Sequence, residues 1–289
     1  MELTYAPFTP FMQGRTKSLP GVGPMEMSDW LHRDEAYAEQ MAYRDRLLKT
    51  QRDVVLAETA EAAGPAGELL DLVRSTLADA PDHEVSGDTL IRPDGFSVPL
   101  GGDHPLALLA RMTQEDFCIL WKPDDSDEHM LIGAILCFPS RWLLAEKLGK
   151  PMIGIHDPVP NYDGDIAKRV QRLFDALRPD RPLVRANWLV HTTPELHQPL
   201  TEEAKAKWQK APSDRFWLRT ERQSLMRLPH SGAVVFTIKT CLTPVEALTQ
   251  DQRTGLIEAL KGTGDEMQRY HGGQPHHQAA IEVLSAIQT

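Results

Sequence analysis

The chain has 289 residues and a formal net charge of −10, with 41% hydrophobic and 25% charged residues. These values are typical of a globular protein with a substantial core. The acidic balance argues against nucleic acid as a partner, because phosphate binding requires a basic surface. No apolar run approaches the roughly 20 residues that span a bilayer, and residues 1–5 lack the regions of a signal peptide. We therefore expect a cytoplasmic protein with no membrane partner.

The three cysteines are Cys118, Cys137 and Cys241, and each lies in an apolar, strand-like run. They have no CxxC spacing, so the sequence encodes neither a zinc site nor an iron–sulfur cluster. The pattern predicts buried, reduced thiols that act as small hydrophobic side chains.

The first 105 residues predict a wrapping layer. Prolines and glycines up to residue 24 indicate an irregular arm. A helix is expected over residues 29–50, capped by Ser28, and a second apolar segment runs to a break at Gly64-Pro65. A third helix follows around residues 69–77. The segment 89–105, rich in glycine and proline, predicts short extended pieces.

Residues 106–242 predict the core. Strands are expected at 117–121, 130–138, 187–190, 215–222 and 232–240, with an acidic turn at 123–127 and helices at 141–148 and 166–177. Short connections favour one antiparallel five-stranded sheet in an α+β fold. Helices inserted after the second strand are the order of a PAS domain, a fold that often holds haem or flavin between sheet and helices.

Residues 243–289 predict helices packed on that core, so the three segments form one globular unit. Thr243-Pro244 is expected to begin the first of these helices as N-cap and first residue. Gly272-Gly273 separates it from a last helix.

One histidine lies in a rigid frame, the run GIHDPVP at 154–160. Pro158 and Pro160 fix their own φ angles, remove two donors and favour extended conformations at Asp157 and Val159. An imidazole held in one direction is suited to metal ligation, which makes His156 the candidate metal ligand. The alternative is a structural loop histidine, with Asp157 capping the next turn. Three other histidines lie near predicted strand ends and are the substitutes: His104, His129 and His191.

Four arginines lie on or beside the predicted strands: Arg185, Arg219, Arg222 and Arg227. Guanidinium groups above an apolar wall are suited to bind the two propionates of a haem. The alternative is a sheet rim with ordinary salt bridges to Glu221 and Asp214. Strand alternation places Arg219 and Glu221 on one face and Arg222 on the other.

The runs LRTERQSLMRLP at 218–229, SGAVVFTI at 231–238, IHDPVP at 155–160 and RANW at 185–188 carry a family resemblance. Together they resemble the haem-binding α subunit of haem-dependent oxidative N-demethylases, dimethylamine-oxidising enzymes built on a PAS core. The matching parts extend from about residue 117 to residue 243, with weaker similarity upstream.

The resemblance implies a b-type haem ligated by His156. It also implies a monooxygenase that oxidises a methyl carbon of a small secondary amine with dioxygen, giving formaldehyde and the demethylated amine. Electrons are expected from NADPH through a reductase subunit with FMN and a 2Fe-2S cluster, and tetrahydrofolate is expected to capture the formaldehyde. This chain has neither a GxGxxG fingerprint nor a cysteine ligand set, in agreement with reductase chemistry on a partner.

Within this expectation Glu221 is the candidate to face the amine, because an ammonium ion is costly to bury unpaired. Trp188 is the candidate for a cation–π wall. A neutral nitrogen ligand to iron is expected, and Cys137 or Cys241 is the alternative if a thiolate binds instead. Two other functions stay open: a haem-based PAS gas or redox sensor, and a PAS-like binding module without metal.

Overall fold

A computed structural model describes residues 1–14, 21–156, 164–207 and 213–287. In these segments the strands form two antiparallel sheets, one of seven strands and one of three. Helices cover both faces of the large sheet. The mixed α+β class is therefore confirmed. None of the described helices is long and apolar enough to cross a membrane.

The described strands are β1 (Gly23–Pro24), β2 (Leu56–Glu58), β3 (Glu84–Ser86), β4 (Thr89–Ile91), β5 (Ser97–Pro99), β6 (Glu115–Trp121), β7 (Met130–Ile135), β8 (Leu183–His191), β9 (Trp217–Arg227) and β10 (Val234–Pro244). The large sheet has the order β1-β8-β9-β10-β6-β7-β2, and the small sheet has the order β3-β4-β5.

The five predicted core strands correspond to β6 through β10, but the predicted five-stranded sheet is wrong. Two short strands from the N-terminal segment extend it at its edges. Strand β1 pairs with β8 through Gly23 and Val184, and β2 pairs with β7 through Ala57 and Ala134. Segments of two or three residues are too short to show alternation, so the pattern could not reveal them.

The described α-helices are α1 (Tyr37–Thr50), α2 (Arg52–Val55), α3 (Ala63–Ala78), α4 (Pro105–Met112), α5 (Met152–His156), α6 (Gly164–Ala176), α7 (Glu202–Lys207), α8 (Gln250–Lys261), α9 (Asp265–His271) and α10 (Gln274–Ala286). The separation of the last two helices at Gly272-Gly273 is confirmed, and both glycines have positive φ angles.

The first helix begins eight residues later than expected, at Tyr37 rather than residue 29. Its predicted first turn is instead held by a distant strand. Arg222 on β9 donates hydrogen bonds to the carbonyl oxygens of Trp30 (3.0 Å) and Asp29 (2.5 Å). A tertiary contact of this kind overrides local helix preference.

Three further helix boundaries differ from the prediction. Helix α3 continues through Gly64-Pro65, since proline is tolerated in a first turn. Residues 141–148 contain only a short 3-10 turn, Leu144–Glu146. Strand β10 continues through Pro244, and α8 begins after Thr249, which forms a capping box with Gln252.

We call the two faces of the large sheet the α6 face and the α4 face, after a helix that covers each. On the α6 face, Phe174 and Leu177 pack with Cys118, Leu225 and Ile238. On the α4 face, α3 and α4 cover the strand residues whose side chains point the other way, including Phe117 and Val235. The C-terminal helices α8 and α10 pack at the β8–β9 end of the sheet.

A buried ion pair links α1 to the strand β6. Arg44 is 0% exposed, and its Nη1 lies 2.9 Å from Oδ1 of Asp116. The guanidinium also donates to the Ala110 carbonyl at 3.0 Å. Asp116 accepts the backbone N–H groups of Cys137 and Phe138 at 2.8 and 2.9 Å. One pair thus holds α1, the α4–β6 junction and the end of β7 together.

We expect Arg44→Met to lower the free energy of unfolding by about 3–5 kcal/mol, because it leaves the Asp116 carboxylate buried without a counter-ion. Urea unfolding followed by circular dichroism measures the change. Arg52→Met is the control, since its pair with Asp103 is partly exposed and should cost about 1 kcal/mol or less. Equal losses in the two variants would contradict this role for Arg44.

Candidate functional site

The candidate site lies on the α6 face, where β8 and β9 run beside the end of α5. Arg185 pairs in register with Gln223, and Asn187 pairs with Glu221. These four side chains share one face because paired residues of an antiparallel ladder point the same way. Helix α5 ends at His156, and the rest of the Pro-rich run, from Asp157 to Pro160, lies outside the described residues.

The tautomer of His156 follows from its hydrogen bond. Its Nδ1 lies 3.0 Å from the carbonyl oxygen of Met152. A carbonyl only accepts, so Nδ1 carries the proton and the ring lone pair is on Nε2. Burial lowers the pKa of His156, and the nearby charges of Lys147 and Arg185 lower it further. The imidazole is therefore neutral at pH 7, which is the form that binds a metal.

Arg185 is the feature that most clearly indicates a ligand. Its side chain is half-buried, and its Nε is fully buried without a hydrogen-bond partner in the described part of the chain. Burial lowers the pKa of the guanidinium, and the charge of Glu221 only partly opposes this. A buried guanidinium donor without an acceptor is costly. An anionic group bound here would remove that cost.

Three more cations lie near His156 and Arg185, and the sequence pattern did not identify them: Arg141, Lys147 and Lys205. Arg141 and Lys147 are buried. Lys147 pairs with Glu202 at 2.8 Å and donates to the Ile155 carbonyl at 3.0 Å. Burial lowers the pKa of Lys205, and the charges of Arg141 and Lys147 lower it further. The cluster therefore repels additional cations and favours anions.

Tyr270 on α9 closes the cationic cluster. The Nζ of Lys205 lies 4.7 Å from the centre of the Tyr270 ring, and burial raises the pKa of the phenol while Arg141 lowers it. Arg141 itself has a φ of 60°, a strained conformation for a residue with a side chain. No spacing in the sequence connects residues 141, 147, 205 and 270, so only the fold reveals this group.

Glu221 is held in a fixed orientation. Its Oε1 accepts from Nε of Arg219 at 3.1 Å, and its Oε2 accepts from Nε2 of Gln223 at 3.2 Å. The prediction that Arg219 and Glu221 share a face is confirmed. A carboxylate offers about four acceptor positions, so Glu221 retains capacity for a further donor.

Three predicted site residues lie away from this group. Trp188 is on the opposite face, where its ring meets Phe11 edge-on at 5.7 Å. Arg222 also points to the α4 face, as alternation predicted, and binds the segment before α1. Arg227 is on the α6 face but donates to the carbonyls of Phe174 and Leu177 at 2.6 and 2.9 Å. Its position anchors the end of α6.

The substitute histidines have contacts of their own. His104 bonds Glu58 at 2.6 Å and caps α4. The buried His129 bonds Gln171 at 2.8 Å, and the buried His191 accepts from Gln198 at 3.1 Å. The three cysteines are buried and reduced, as predicted, and burial raises each thiol pKa to about 12.

A family model described as haem-dependent oxidative N-demethylase, alpha subunit-like, matches residues 21–281. The chain belongs to this family. It is thus a haem-dependent oxidative N-demethylase α-subunit-like protein, an oxidoreductase of a family whose name implies further subunits. The resemblance found in the sequence is confirmed.

The residues on the α6 face fit a haem. The described segments contain no group of three or more His, Cys, Asp or Glu side chains that could hold a metal ion. A porphyrin supplies four nitrogen ligands itself, so one histidine with a basic Nε2 is enough. Arg185 offers a buried donor to a carboxylate, and Ile155 and Phe236 give the same region an apolar surface.

We expect Arg185→Gln to raise the pKa of His156 toward the ordinary value of about 6.5, because it removes a cation that disfavours the imidazolium. In the native chain the lowered pKa has a stability consequence. Because the His156 pKa is lower in the folded than in the unfolded chain, its contribution to the free energy of unfolding is fully present above pH of about 6.5. This contribution is lost as pH falls through the folded-state pKa.

An NMR titration of the His156 ring in the haem-free protein measures the shift. Arg178→Gln is the matched control, because the Arg178 side chain is largely exposed and is not among the charges that act on His156. An unchanged His156 titration in the Arg185 variant would show that the two groups do not interact.

Proposed function

We propose that this protein is the haem-binding subunit of an enzyme that removes a methyl group from a small secondary amine, resembling dimethylamine, by oxidation with dioxygen. One observation carries the proposal: His156, with its basic Nε2, lies close enough to Arg185 to feel its charge, and the Nε of Arg185 has no hydrogen-bond partner among the described residues. A neutral imidazole can bind the iron of a b-type haem, and a buried donor beside it can bind a propionate.

In this proposal His156 binds the haem iron through Nε2, and the Met152 carbonyl fixes the ring orientation through Nδ1. Arg185 binds a propionate, and the charges of Arg141, Lys147 and Lys205 favour the second propionate nearby. The haem, when bound, supplies the oxidative chemistry with dioxygen.

The overall reaction consumes the amine, dioxygen, two electrons and two protons, and it gives the demethylated amine, formaldehyde and water. We propose that a reductase subunit with FMN and a 2Fe-2S cluster delivers the electrons from NADPH. Tetrahydrofolate would take up the formaldehyde at a separate site. The family name supports further subunits, because it describes an α subunit.

Glu221 is proposed to position the amine. Its carboxylate is already oriented by Arg219 and Gln223, so little side-chain entropy is lost when an N–H donor binds. Trp188, Arg222 and Arg227 are left out of this site because their contacts lie elsewhere.

The helices between β7 and β8 support assignment of the core to a PAS-like fold. They include α5 and α6, which pack on the sheet from the side that carries His156 and Arg185. The core strands follow the spatial order β8-β9-β10-β6-β7, so the first and last core strands in the chain lie side by side at the centre.

The direct test of the function is amine turnover. We expect the haem-loaded protein, supplied with a reductase or a chemical reductant and dioxygen, to form formaldehyde in proportion to dimethylamine consumed. A haem spectrum that responds to gases without any amine-dependent turnover would favour the sensor instead. A colourless protein that takes up no haem would favour a metal-free binding module.

We expect His156→Ala to lose the normal haem spectrum and most haem occupancy while it keeps the native circular dichroism spectrum. The reason is loss of the iron ligand at a half-buried helix end rather than in the core. Haem titration followed at the Soret band measures occupancy. The exposed His230→Ala is the control and should bind haem normally. Full occupancy with an unchanged spectrum in His156→Ala would refute the assignment.

The ferrous carbonyl complex should resemble that of a globin. Burial keeps the thiols of Cys118, Cys137 and Cys241 protonated, with pKa values of about 12, so a neutral nitrogen is the expected ligand. Absorption spectroscopy under carbon monoxide tests this. A thiolate-type band would exclude His156 as the ligand and point to Cys137 or Cys241.

We expect Glu221→Gln to bind haem but to demethylate the amine at a rate lower by roughly tenfold or more, since one charged hydrogen bond is worth about 1.5–3 kcal/mol. The change preserves an acceptor for Arg219. Formaldehyde release and the amine-induced change in the haem spectrum are the measurements. The exposed Glu246→Gln is the matched control. Unchanged binding and turnover in Glu221→Gln would assign Glu221 a purely structural role.

A further inference from the structure

A cavity lies on the α4 face, away from the proposed haem site. It occupies about 530 Å³ between the segment before α1, the end of α3 and the α4–β6 junction. Leu31, Leu77 and Met112 give it apolar walls, and Tyr37 and Glu115 contribute polar groups. This size and this mixture of apolar walls with few polar groups are typical of small-molecule sites.

Three buried polar atoms of this lining lack hydrogen-bond partners within the described residues. Tyr37 is only 7% exposed, yet its hydroxyl makes no hydrogen bond within the described residues. His83 donates from Nδ1 to Asp82 at 2.9 Å, and in the neutral ring its buried Nε2 is an acceptor for which the described residues provide no donor. The Nε2 of His32 is likewise buried without a partner in the described segments. Buried polar groups without partners are rare in folded proteins.

Glu115 is the most deeply buried of the lining acids, at 1% exposure. Its Oε1 accepts the backbone N–H of His32 at 2.7 Å, but no cation of the described chain lies within ion-pair distance. Lys239 is its cross-strand neighbour and pairs with Asp34 at 2.5 Å instead, while Arg44 pairs with Asp116. Burial therefore raises the pKa of Glu115, with Lys239 and Arg44 only partly opposing it.

The lining specifies the charge of a ligand. Among its side chains the acids Asp79, Asp82 and Glu115 outnumber the single fixed cation, Arg33. Arg33 is itself paired with Asp82 at the rim, and its guanidinium lies 6.0 Å from the centre of the Tyr37 ring. A complementary ligand carries hydrogen-bond donors, a positive charge and an apolar body.

We propose that this cavity is a binding site for a small organic ammonium ion with an apolar substituent. The ammonium group binds Glu115 and the Tyr37 hydroxyl, and the apolar part lies against Leu31, Leu77 and Met112. The proposal does not depend on the haem chemistry, because Glu115 and its neighbour Lys239 belong to the opposite face of the sheet from Arg185 and Glu221.

A matched pair of probes tests the charge requirement. Benzylammonium and benzyl alcohol have similar size and differ in charge. Isothermal titration and NMR of the His32 and His83 rings measure binding and its location in the full chain. We expect the ammonium ion to bind at least tenfold more tightly than the alcohol and to shift both histidine signals. Equal binding, or binding that leaves these signals unmoved, overturns the proposal.

Two variants test the proposed contacts. Glu115→Gln should weaken benzylammonium binding by about tenfold or more, in line with loss of a charged hydrogen bond. Tyr37→Phe should weaken binding several-fold. It should leave the unliganded protein as stable or more stable, because the hydroxyl it removes has no hydrogen-bond partner in the described part of the chain.

Tyr5→Phe is the control, since Tyr5 is 48% exposed and is not one of the residues that line the cavity. If Glu115→Gln unfolds, Tyr37→Phe still decides the matter. A Tyr37→Phe protein that binds the probe normally, or that is markedly less stable without it, shows that the hydroxyl serves the fold and not a ligand.

Discussion

The site on the α6 face depends on the buried guanidinium of Arg219. This side chain is 0% exposed and makes contacts to three parts of the chain. It donates to the carbonyl oxygens of Phe138 at 2.6 Å and Leu196 at 3.1 Å, which lie beyond the ends of β7 and β8. It also holds Glu221 through Nε. Because the planar guanidinium has fixed donor directions, the end of β7, the β8–β9 connection and the carboxylate are fixed together.

The two faces of the sheet differ in how their buried charged side chains are paired. On the α6 face, the buried Nε of Arg185 has no acceptor among the described residues, and four cations lie near one another: Arg141, Lys147, Arg185 and Lys205. On the α4 face, Lys239 pairs with Asp34, and its cross-strand neighbour Glu115 has no cation within ion-pair distance in the described segments. A buried charge without a partner is costly, so a ligand that pairs with Arg185 or Glu115 would remove that cost.

His156 shows how local structure prepares a ligand. It ends the short helix α5, and its ring bonds the carbonyl four residues earlier, at Met152. The imidazole therefore adds a side-chain donor to a carbonyl of its own helix. The same bond sets the tautomer, while burial and neighbouring cations keep the ring neutral. Orientation, tautomer and protonation state therefore follow from one short segment and its surroundings.

The sequence by itself determined the core strands β6 through β10, the acidic turn after Trp121, helix α6, the family and the face shared by Arg219 and Glu221. These features arise from periods of 2 and 3.6 residues and from contiguous motifs, which are local. Only the tertiary structure decided the rest. The edge strands β1 and β2, the late start of α1 at Tyr37, and the cluster of Arg141, Lys205 and Tyr270 all depend on contacts between residues far apart in the chain. The partners of a side chain also depend on what the fold brings to it. For this reason the sequence does not distinguish Arg185 from Arg222 and Arg227. In the structure Arg222 and Arg227 bind backbone carbonyls, whereas the buried Nε of Arg185 has no acceptor within the described segments.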